Sequence, residues 1–413
     1  MAQFKDHKIS AKQLLEHIPE ELMAKISARS EVDHYSKVLH GKKVFYLLLY
    51  GILENDRMSQ RSLEDTFNDR IFKMLFKLDP DETVRRSSIS ERLSKIDTNY
   101  FKEIYEELYT RFSKLYTKKE RLKMNILRVD STMLSEGVGK LSEYTNNYGS
   151  KKAVKLSLIF DGELPGYNEL FTSASHASED VALPAVIMAN AKQEKGHQNV
   201  YVMDRGVQSA RAMKNFSEND VMFVARLRED RKFEEVESLI EQGQQTENEK
   251  FTLLMDSKVK LNTYGPVKSK EGKVYHKTTQ VETPFRLIVI KTKSAGRIFS
   301  FITNDFQRTA DEISEVYRRR WDIEVFFRFL KQELNMKHLI SLNPNGIRVV
   351  LYMTLIAAMI VLMYKKHNGQ GYKTSKRRLT MEIRDMVMEM VIIMSGGNPN
   401  LIFKMNEKSS DHD

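Results

Sequence analysis

Two short apolar runs, ILRV and VYVM, each stop at an aspartate, Asp130 and Asp204, and they constrain the fold more than any other feature of the chain. Apolar runs of this length bounded by turn residues read as buried strands. The first run, 124–130, is followed by a second strand at 153–162 (AVKLSLIFDG) and a third over 164–173. A helix then spans 179–192. The strand NVYVMDRG (199–206) comes next with Gly206 as punctuation, then a helix over 207–216 and the strand VMFVARL. Strands that are first adjacent and then alternate with helices predict a mixed α/β sheet.

The flanking segments differ in character. Residues 1–118 read as helical. Ser88 opens S-I-S-E, a capping-box pattern, and Ile89, Leu93, Ile96 and Tyr100 follow at helical spacing. Arg85, Arg86, Arg92 and Lys95 lie on or beside that helix, which suits a small helical DNA-binding module. The basic stretch 114–123 reads as a linker. Residues 228–297 are highly charged, with strand runs at FTLLMDSKVKLNT and FRLIVIKTK, and read as an inserted β-rich subdomain. The strand IFSFITND returns to the core. A long helix over 311–336 follows, with Thr309 as its N-cap, and then an apolar helix over 345–367. This gives five regions: 1–118, a helical N-terminal DNA-binding region; 119–227, the first part of the core; 228–297, the insertion; 298–367, the second part of the core; and 368–413, C-terminal helices ending in the polar tail EKSSDHD.

The apolar stretch 349–364 (VVLYMTLIAAMIVLMY) is shorter than the ~20 residues that a spanning helix needs, so it reads as a helix buried in a globular domain. The chain has no cysteine, which excludes disulfides, zinc ribbons and thiol chemistry and fits a reducing cytoplasm. Lys and Arg number 66 against 56 Asp and Glu, a net charge of +10 that favours a polyanionic partner such as nucleic acid.

In α/β sheets ligands gather outside the carboxyl ends of strands, where Asp130 and Asp204 stand. Two carboxylates in one crevice repel unless a cation lies between them, and oxygen-only donors suit Mg²⁺ or Mn²⁺. Either aspartate taken singly reads equally well as a turn or cap residue. The helix over 311–336 adds more. With Tyr317 at zero and about 100° per residue, Arg320, Lys331 and Glu324 fall near 300°, 320° and 340°, with Arg328 and Trp321 near 20° and 40°. Ile323, Val325, Phe326, Phe327, Phe329, Leu330 and Leu334 fill the opposite arc. One face packs on a core; the other presents a carboxylate among cationic and aromatic groups. A solvated face with Arg320–Glu324 and Glu324–Arg328 pairs is the plainer alternative.

The run Y-R-R-R-W-D-I-E-V-F-F-R-F-L-K (317–331) resembles the Y-x2-R-x3-E-x6-K signature of the IS4 family of bacterial insertion-sequence transposases, with Tyr317, Arg320, Glu324 and Lys331 at its four positions. Trp321 stands where that family often carries Trp. VDST (129–132) resembles the family's first aspartate block and VMDRG (202–206) its second. The resemblance runs from about residue 120 to 365. It implies an RNase H-like core with Asp130, Asp204 and Glu324 as catalytic residues holding two Mg²⁺ ions, for which Mn²⁺ can substitute. Asp130 is expected to bridge the ions. It further implies that Tyr317, Arg320 and Lys331 grip terminal phosphates, with Trp321 and Arg328 on the same DNA-facing side. Such a protein binds terminal inverted repeats and target DNA, forms a homodimer on paired ends, and works in the cytoplasm at the nucleoid. Relatives stack an aromatic from the insertion on a flipped base; Phe251, Tyr264, Tyr275 and Phe285 are the candidates for that place here, and none stands out. Two further readings stay open: a nuclease or resolvase with the same core but no strand transfer, and a non-catalytic DNA-binding repressor.

Overall fold

The computed structural model describes residues 8–34, 36–134, 146–148, 151–193, 199–240, 246–268, 274–399 and 401. The chain divides into two compact units, one comprising Met1–Tyr116, Leu134–Ser142 and Arg328–Asp413, the other Thr117–Met133 and Glu143–Phe327. In chain order the first opens with α1 (Ala11–Leu15), α2 (Glu20–Ser30), α3 (Gly41–Glu54), α4 (Gln60–Asn68), α5 (Arg70–Leu75), α6 (Arg86–Lys95) and α7 (Thr98–Ser113). The second runs α8 (Lys118–Met124), β1 (Ile126–Leu134), β2 (Asn146–Tyr148), β3 (Lys151–Phe160), β4 (Pro165–Phe171), α9 (Glu179–Gln193), β5 (Val200–Met203), α10 (Ala210–Glu218), β6 (Met222–Arg226), β7 (Phe233–Ser238), β8 (Phe251–Lys268), β9 (Val274–Gln280), β10 (Phe285–Thr292), β11 (Ile298–Thr303) and α11 (Ala310–Arg318). Helix α12 (Trp321–Glu333) begins in the second unit, and its last residues return to the first, which closes with α13 (Pro344–Asn368) and α14 (Tyr372–Met394).

The helical unit is built around α13, which packs against α3, α6, α7 and α14. It is long and apolar enough to cross a membrane, yet 89% of its most apolar window is buried inside the protein. The apolar stretch 349–364 is therefore a core helix, as its length suggested. Gly346 lets it approach α6, since a Cβ there would stand 3.2 Å from the Leu93 carbonyl. The segment before and within α1 bonds to the end of α13 and to α14 in this unit. Asn368 accepts the Lys8 and Ile9 amides at 2.7 and 3.1 Å, and the buried Glu382 accepts the Ala11 amide and the Tyr364 hydroxyl, both at 2.7 Å.

Three local expectations need correction here. Ser88 does not cap its helix: α6 starts at Arg86 with Arg85 as N-cap and no side-chain cap bond, and Glu91 pairs instead with Lys95 at 2.6 Å. The apolar spacing was nevertheless sound, because Ile89, Leu93, Ile96 and Tyr100 are all buried. Arg92 is not a free surface cation. Its guanidinium donates to the Leu39 and Val32 carbonyls at 2.8 and 2.5 Å, whereas Arg85, Arg86 and Lys95 are exposed. The basic stretch 114–123 is largely α8, whose N-cap Thr117 forms a capping box with Glu120.

The second unit is a mixed α/β sheet, of eleven strands among the described residues, in the order β2-β3-β1-β5-β6-β11-β10-β8-β7, with β4 on β3 and β9 on β8. Strands β1, β5 and β6 run parallel. Strand β11 is antiparallel to β6, and β10 to β11. The charged segment that read as an insertion supplies β7–β10, which extend the same sheet. Helices cover both faces. The short β5 shows why, because its residues alternate between two apolar clusters. Tyr201 and Met203 pack with Leu183, Ile187, Met213 and Phe216 of α9 and α10, while Val200 and Val202 pack with Ile313, Val316 and Tyr317 of α11.

Helix α11 is held at both ends by a buried arginine from the sheet. At its entry, Arg286 of β10 makes a two-pronged pair with Asp256 of β8 at 2.8 and 2.7 Å and donates to the Arg308 carbonyl at 2.5 Å. At its exit, Arg128 of β1 donates to the Arg319 carbonyl at 3.2 Å and pairs with Asp322 at 2.9 Å. The guanidinium of Arg128 also reaches the Asp161 carbonyl at 2.7 Å, beside Gly162. That glycine has φ +97°, and a Cβ on it would stand 2.6 Å from the guanidinium, so backbone and space both require glycine.

Removing one partner of the Arg286–Asp256 pair strands a buried charge. We predict that Arg286→Ala lowers stability by about 3–5 kcal/mol in urea unfolding, and that Arg286→Met with Asp256→Leu recovers most of it. Equal destabilisation by the single and double variants would contradict this.

Candidate active site

Ile126 pairs with Val200 and Arg128 with Val202, where the pairing of β1 with β5 ends. Asp130 follows two residues later inside β1, which runs on to Leu134 rather than stopping at the aspartate as its apolar run suggested, and Asp204 lies just past the end of β5. Neighbouring strands are about 4.8 Å apart, so the two backbones are close. Asp130 shares the face of β1 that carries Arg128, two residues earlier, and Arg128 reaches the α11–α12 junction. That junction delivers the remaining groups. The Tyr317 hydroxyl donates to Asp204 at 3.0 Å. Arg320 bridges two acids, bonding Glu324 at 2.5 Å with its other nitrogen 4.0 Å from Asp204.

The long helix expected over 311–336 is two helices. Between them, Arg319 and Arg320 bond back three residues, to Val316 and Tyr317, and Asp322 and Ile323 bond back to Arg319 and Arg320. This tighter winding turns α12 relative to α11. The buried arc holds: Ile323, Phe326, Phe327, Phe329, Leu330 and Leu334 are buried, and Phe326 stacks on Phe160 of β3 at 4.6 Å. Val325 is half-buried. On the other arc Trp321 is 53% exposed and Arg328 is exposed. Arg328 and Lys331 lie in the part of α12 that belongs to the helical unit, whereas Tyr317, Arg320, Trp321 and Glu324 lie in the sheet unit. The Arg320–Glu324 pair foreseen as the plainer alternative is formed, and it is combined with the contact to Asp204.

The two aspartates titrate in opposite directions. Burial is the main cause that pushes Asp130 up to about 7, with the nearby Glu179 and Glu324 carboxylates adding to it and the Ser131 amide and Arg320 opposing it. Burial also acts to raise Asp204, but the Arg205 amide, Arg320, the Tyr317 hydroxyl and Arg226 outweigh it and hold that carboxyl below its usual value. The Tyr317 hydroxyl is itself raised, by burial and by the charge of Asp204, so it stays a proton donor at neutral pH.

The donor set suits a hard divalent cation, being carboxylate oxygen throughout. Among the described residues no three acids or histidines converge closely enough to hold an ion as they stand. The positive charge between Asp204 and Glu324 is that of Arg320.

The insertion aromatics separate by burial. Phe251 and Phe285 are 5% and 0% exposed and pack in the two cores, so neither is available to stack on a base. The side chains of Tyr264 and Tyr275, and the C-terminal tail, lie outside the described residues. The roles of Arg128, Arg286 and Glu179 were missed in the sequence. A signal existed for the first two, since a charged residue inside an apolar strand run is costly unless it is paired.

Residues 121–360 match the model of the family described as Transposase DDE domain, and the chain belongs to that family. Three relatives agree in kind. One from Sinorhizobium fredii, named as a transposase, is 24% identical over 242 residues, 58% of this chain and 61% of its own length. Another from Geobacillus stearothermophilus, named as a transposase for insertion sequence element IS5377, is 22% identical over 67% of this chain and 66% of its own length. A third, from Synechocystis, is named for insertion sequence element IS4SA and is 25% identical over 78% of this chain and 82% of its own length. The matched part thus spans somewhat less than two thirds of the first two relatives.

The Asp130 shift has a measurable consequence. In metal-free protein the native state keeps this proton up to about pH 7, whereas the unfolded chain releases it near pH 4. The native state binds more protons in that window, so unfolding free energy should fall as pH rises from about 4 to about 7. Urea titrations across the window should show this slope in the native sequence and its loss in Asp130→Asn. The same slope in both would remove Asp130 as its source.

Proposed function

We propose that the chain is a DDE transposase of an insertion sequence that binds terminal inverted repeats and carries out metal-dependent DNA cleavage and strand transfer in cut-and-paste transposition. Asp130, Asp204 and Glu324 would hold the divalent ions, Mg²⁺ in the cell with Mn²⁺ able to substitute. The observation that carries this reading is that Asp130 in β1 and Asp204 just past β5 each stand two residues beyond the last paired residues of two adjacent parallel strands, with Tyr317 bonded to Asp204 and Arg320 set between Asp204 and Glu324, in a chain of this family. Parallel β1, β5 and β6, with β11 antiparallel to β6, support reading the sheet as RNase H-like.

When bound, the metal activates water and stabilises charge on the attacking and leaving oxygens of phosphoryl transfer. The chain's own residues prepare for that. Asp130 must give up its proton before it can take a cation, so cation affinity rises with pH through about 7. Asp204 is already ionised, and Tyr317 orients it through the 3.0 Å hydrogen bond. Arg320 suits a two-pronged phosphate grip, and Lys331 adds a point charge. Trp321, exposed one residue beyond Arg320, offers a ring face to DNA, and Arg328 a further cation. Recognition of the terminal repeat falls to the N-terminal helices, where Arg85, Arg86 and Lys95 are exposed. Pairing of two ends brings two copies together as a homodimer, acting in the cytoplasm at the nucleoid.

Asp130→Asn, Asp204→Asn and Glu324→Gln should each cut the cleavage rate by about 10³-fold or more while end binding persists, since each removes several kcal/mol of charge stabilisation. Full metal-dependent cleavage by any one of them would take that residue out of the proposed site. A joining assay with pre-cut ends distinguishes a transposase from a nuclease: covalently joined target is the expected product, and hydrolysis alone would point to the nuclease. Arg320→Ala should reduce the salt slope of end binding by about one unit, as loss of one phosphate contact requires. An unchanged slope would leave Arg320 as a structural ion pair only.

A further inference from the structure

We propose that Gln208 is a positioning residue for Asp204, aided by Asp180; this rests on the reading of Asp204 as part of the catalytic site. Strands β5 and β6 pair as far as Met203 and Ala225, and their ladder stops there, one residue before Asp204. The chain then turns away toward α10, with the Val207 amide donating back to the Asp204 carbonyl at 3.4 Å. Backbone groups just past the last rung need other partners. The buried carboxamide of Gln208 serves four of them. Its Nε2 donates to the carbonyls of Arg205, Val207 and Arg226 at 3.1, 3.0 and 3.1 Å, and its Oε1 accepts the Arg228 amide at 3.1 Å. One side chain thus ties the loop after Asp204 to the end of β6.

The backbone of the same loop is fastened from α9. Asp180, in the first turn of that helix, accepts the Gln208 and Ser209 amides on a single oxygen, Oδ1, at 2.5 and 2.8 Å. Gly206 lies against the same turn, since a Cβ built on it would fall 1.5 Å from Oε2 of Glu179. Buried polar side chains are satisfied by backbone in any well-packed loop. Gln208 is set apart by where its bonds fall. Arg205 is the chain neighbour of Asp204, and Arg226 follows Ala225, the strand partner of Met203. The carboxamide therefore takes the place of the next rungs of the ladder, at the residue whose direction matters. Tyr317 holds the Asp204 carboxylate at 3.0 Å, and Gln208 and Asp180 hold the backbone from which it projects.

The test is single-turnover cleavage of terminal-repeat DNA by the full chain in Mn²⁺, with rates taken on end-bound protein and the end-binding constant measured alongside. Gln208→Met removes the four bonds with a side chain of similar length. It should slow cleavage of bound ends about 10²-fold, as a misplacement of about 1 Å does, with the end-binding constant unchanged. A second pair of variants carries the test if that chain folds poorly. Asp180→Asn keeps an Oδ1 that can accept both amides, so it should cleave as the native chain does, whereas Asp180→Ala should be slow. In metal-free protein the Gln208 and Ser209 amides should exchange with solvent faster in Asp180→Ala and not in Asp180→Asn. Equal loss of rate in Asp180→Asn and Asp180→Ala would assign charge rather than position and overturn the proposal. If Asp204→Asn abolishes cleavage while Gln208→Met and Asp180→Ala cleave bound ends at the native rate, the two residues serve stability only and the proposal fails alone. If Asp204→Asn cleaves as the native chain does, the reading of the site fails and takes this proposal with it.

Discussion

The guanidinium of Arg128 is the constraint on which the arrangement of the sheet unit depends. A cation buried to 4% exposure is tolerable only if every direction it points in supplies an acceptor, and here the acceptors come from three places: the carbonyls of Ile126 and Asp161 in the sheet, the carbonyl of Arg319 at the end of α11, and the carboxylate of Asp322 at the start of α12. Satisfying one side chain therefore fixes the junction between two helices against β1. Arg320 lies inside that junction and Glu324 one turn beyond it. Asp130 lies two residues along β1 on the same face. The group that ties α11 and α12 to the sheet thus also sets the three-residue relation among Asp130, Arg320 and Glu324.

Charge in the site is balanced locally rather than overall. Asp204 sits among donors: the Arg205 amide, Arg320, Tyr317 and Arg226. Asp130, two residues past the last paired residue of the next strand, has burial and two carboxylates as its surroundings, with one amide and a shared arginine in opposition. Two aspartates that look alike in sequence are therefore shifted in opposite directions, Asp130 up to about 7 and Asp204 below its usual value, through burial and through what the neighbouring elements bring to each.

Much of the architecture could be read from local pattern. Apolar runs marked β1, β5, β6, β10 and β11, because a strand buried on both faces has no polar alternation to obscure it. The capping box of Thr309 with Glu312 marked the start of α11. The apolar arc of α12 followed from spacing alone, and so did the burial of α13. Other features were not readable. Ser88 offered a cap that the chain declined, since α6 had already begun at Arg86 to bury Ile89 and Leu93. The break at Arg319–Arg320 carries no glycine or proline to announce it; Arg128 bonds to the Arg319 carbonyl and to Asp322 on its two sides. Phe251 and Phe285, candidates for stacking, are core residues because their strands lie within the large sheet.

The sequence by itself determined most of the strands and helices and which helix faces are apolar, since each of these depends on neighbours along the chain; it set Asp130 at a strand end where β1 runs on to Leu134, and joined α11 and α12 into one helix. Only the tertiary structure decided that Asp130 and Asp204 come from adjacent, paired strand segments, that Arg320 reaches Asp204 as well as Glu324, and that Glu179 fills the space left by Gly206. Those relations join residues tens to more than a hundred positions apart. They arise from strand pairing and from the need to satisfy buried arginines, neither of which leaves a periodic trace in the sequence.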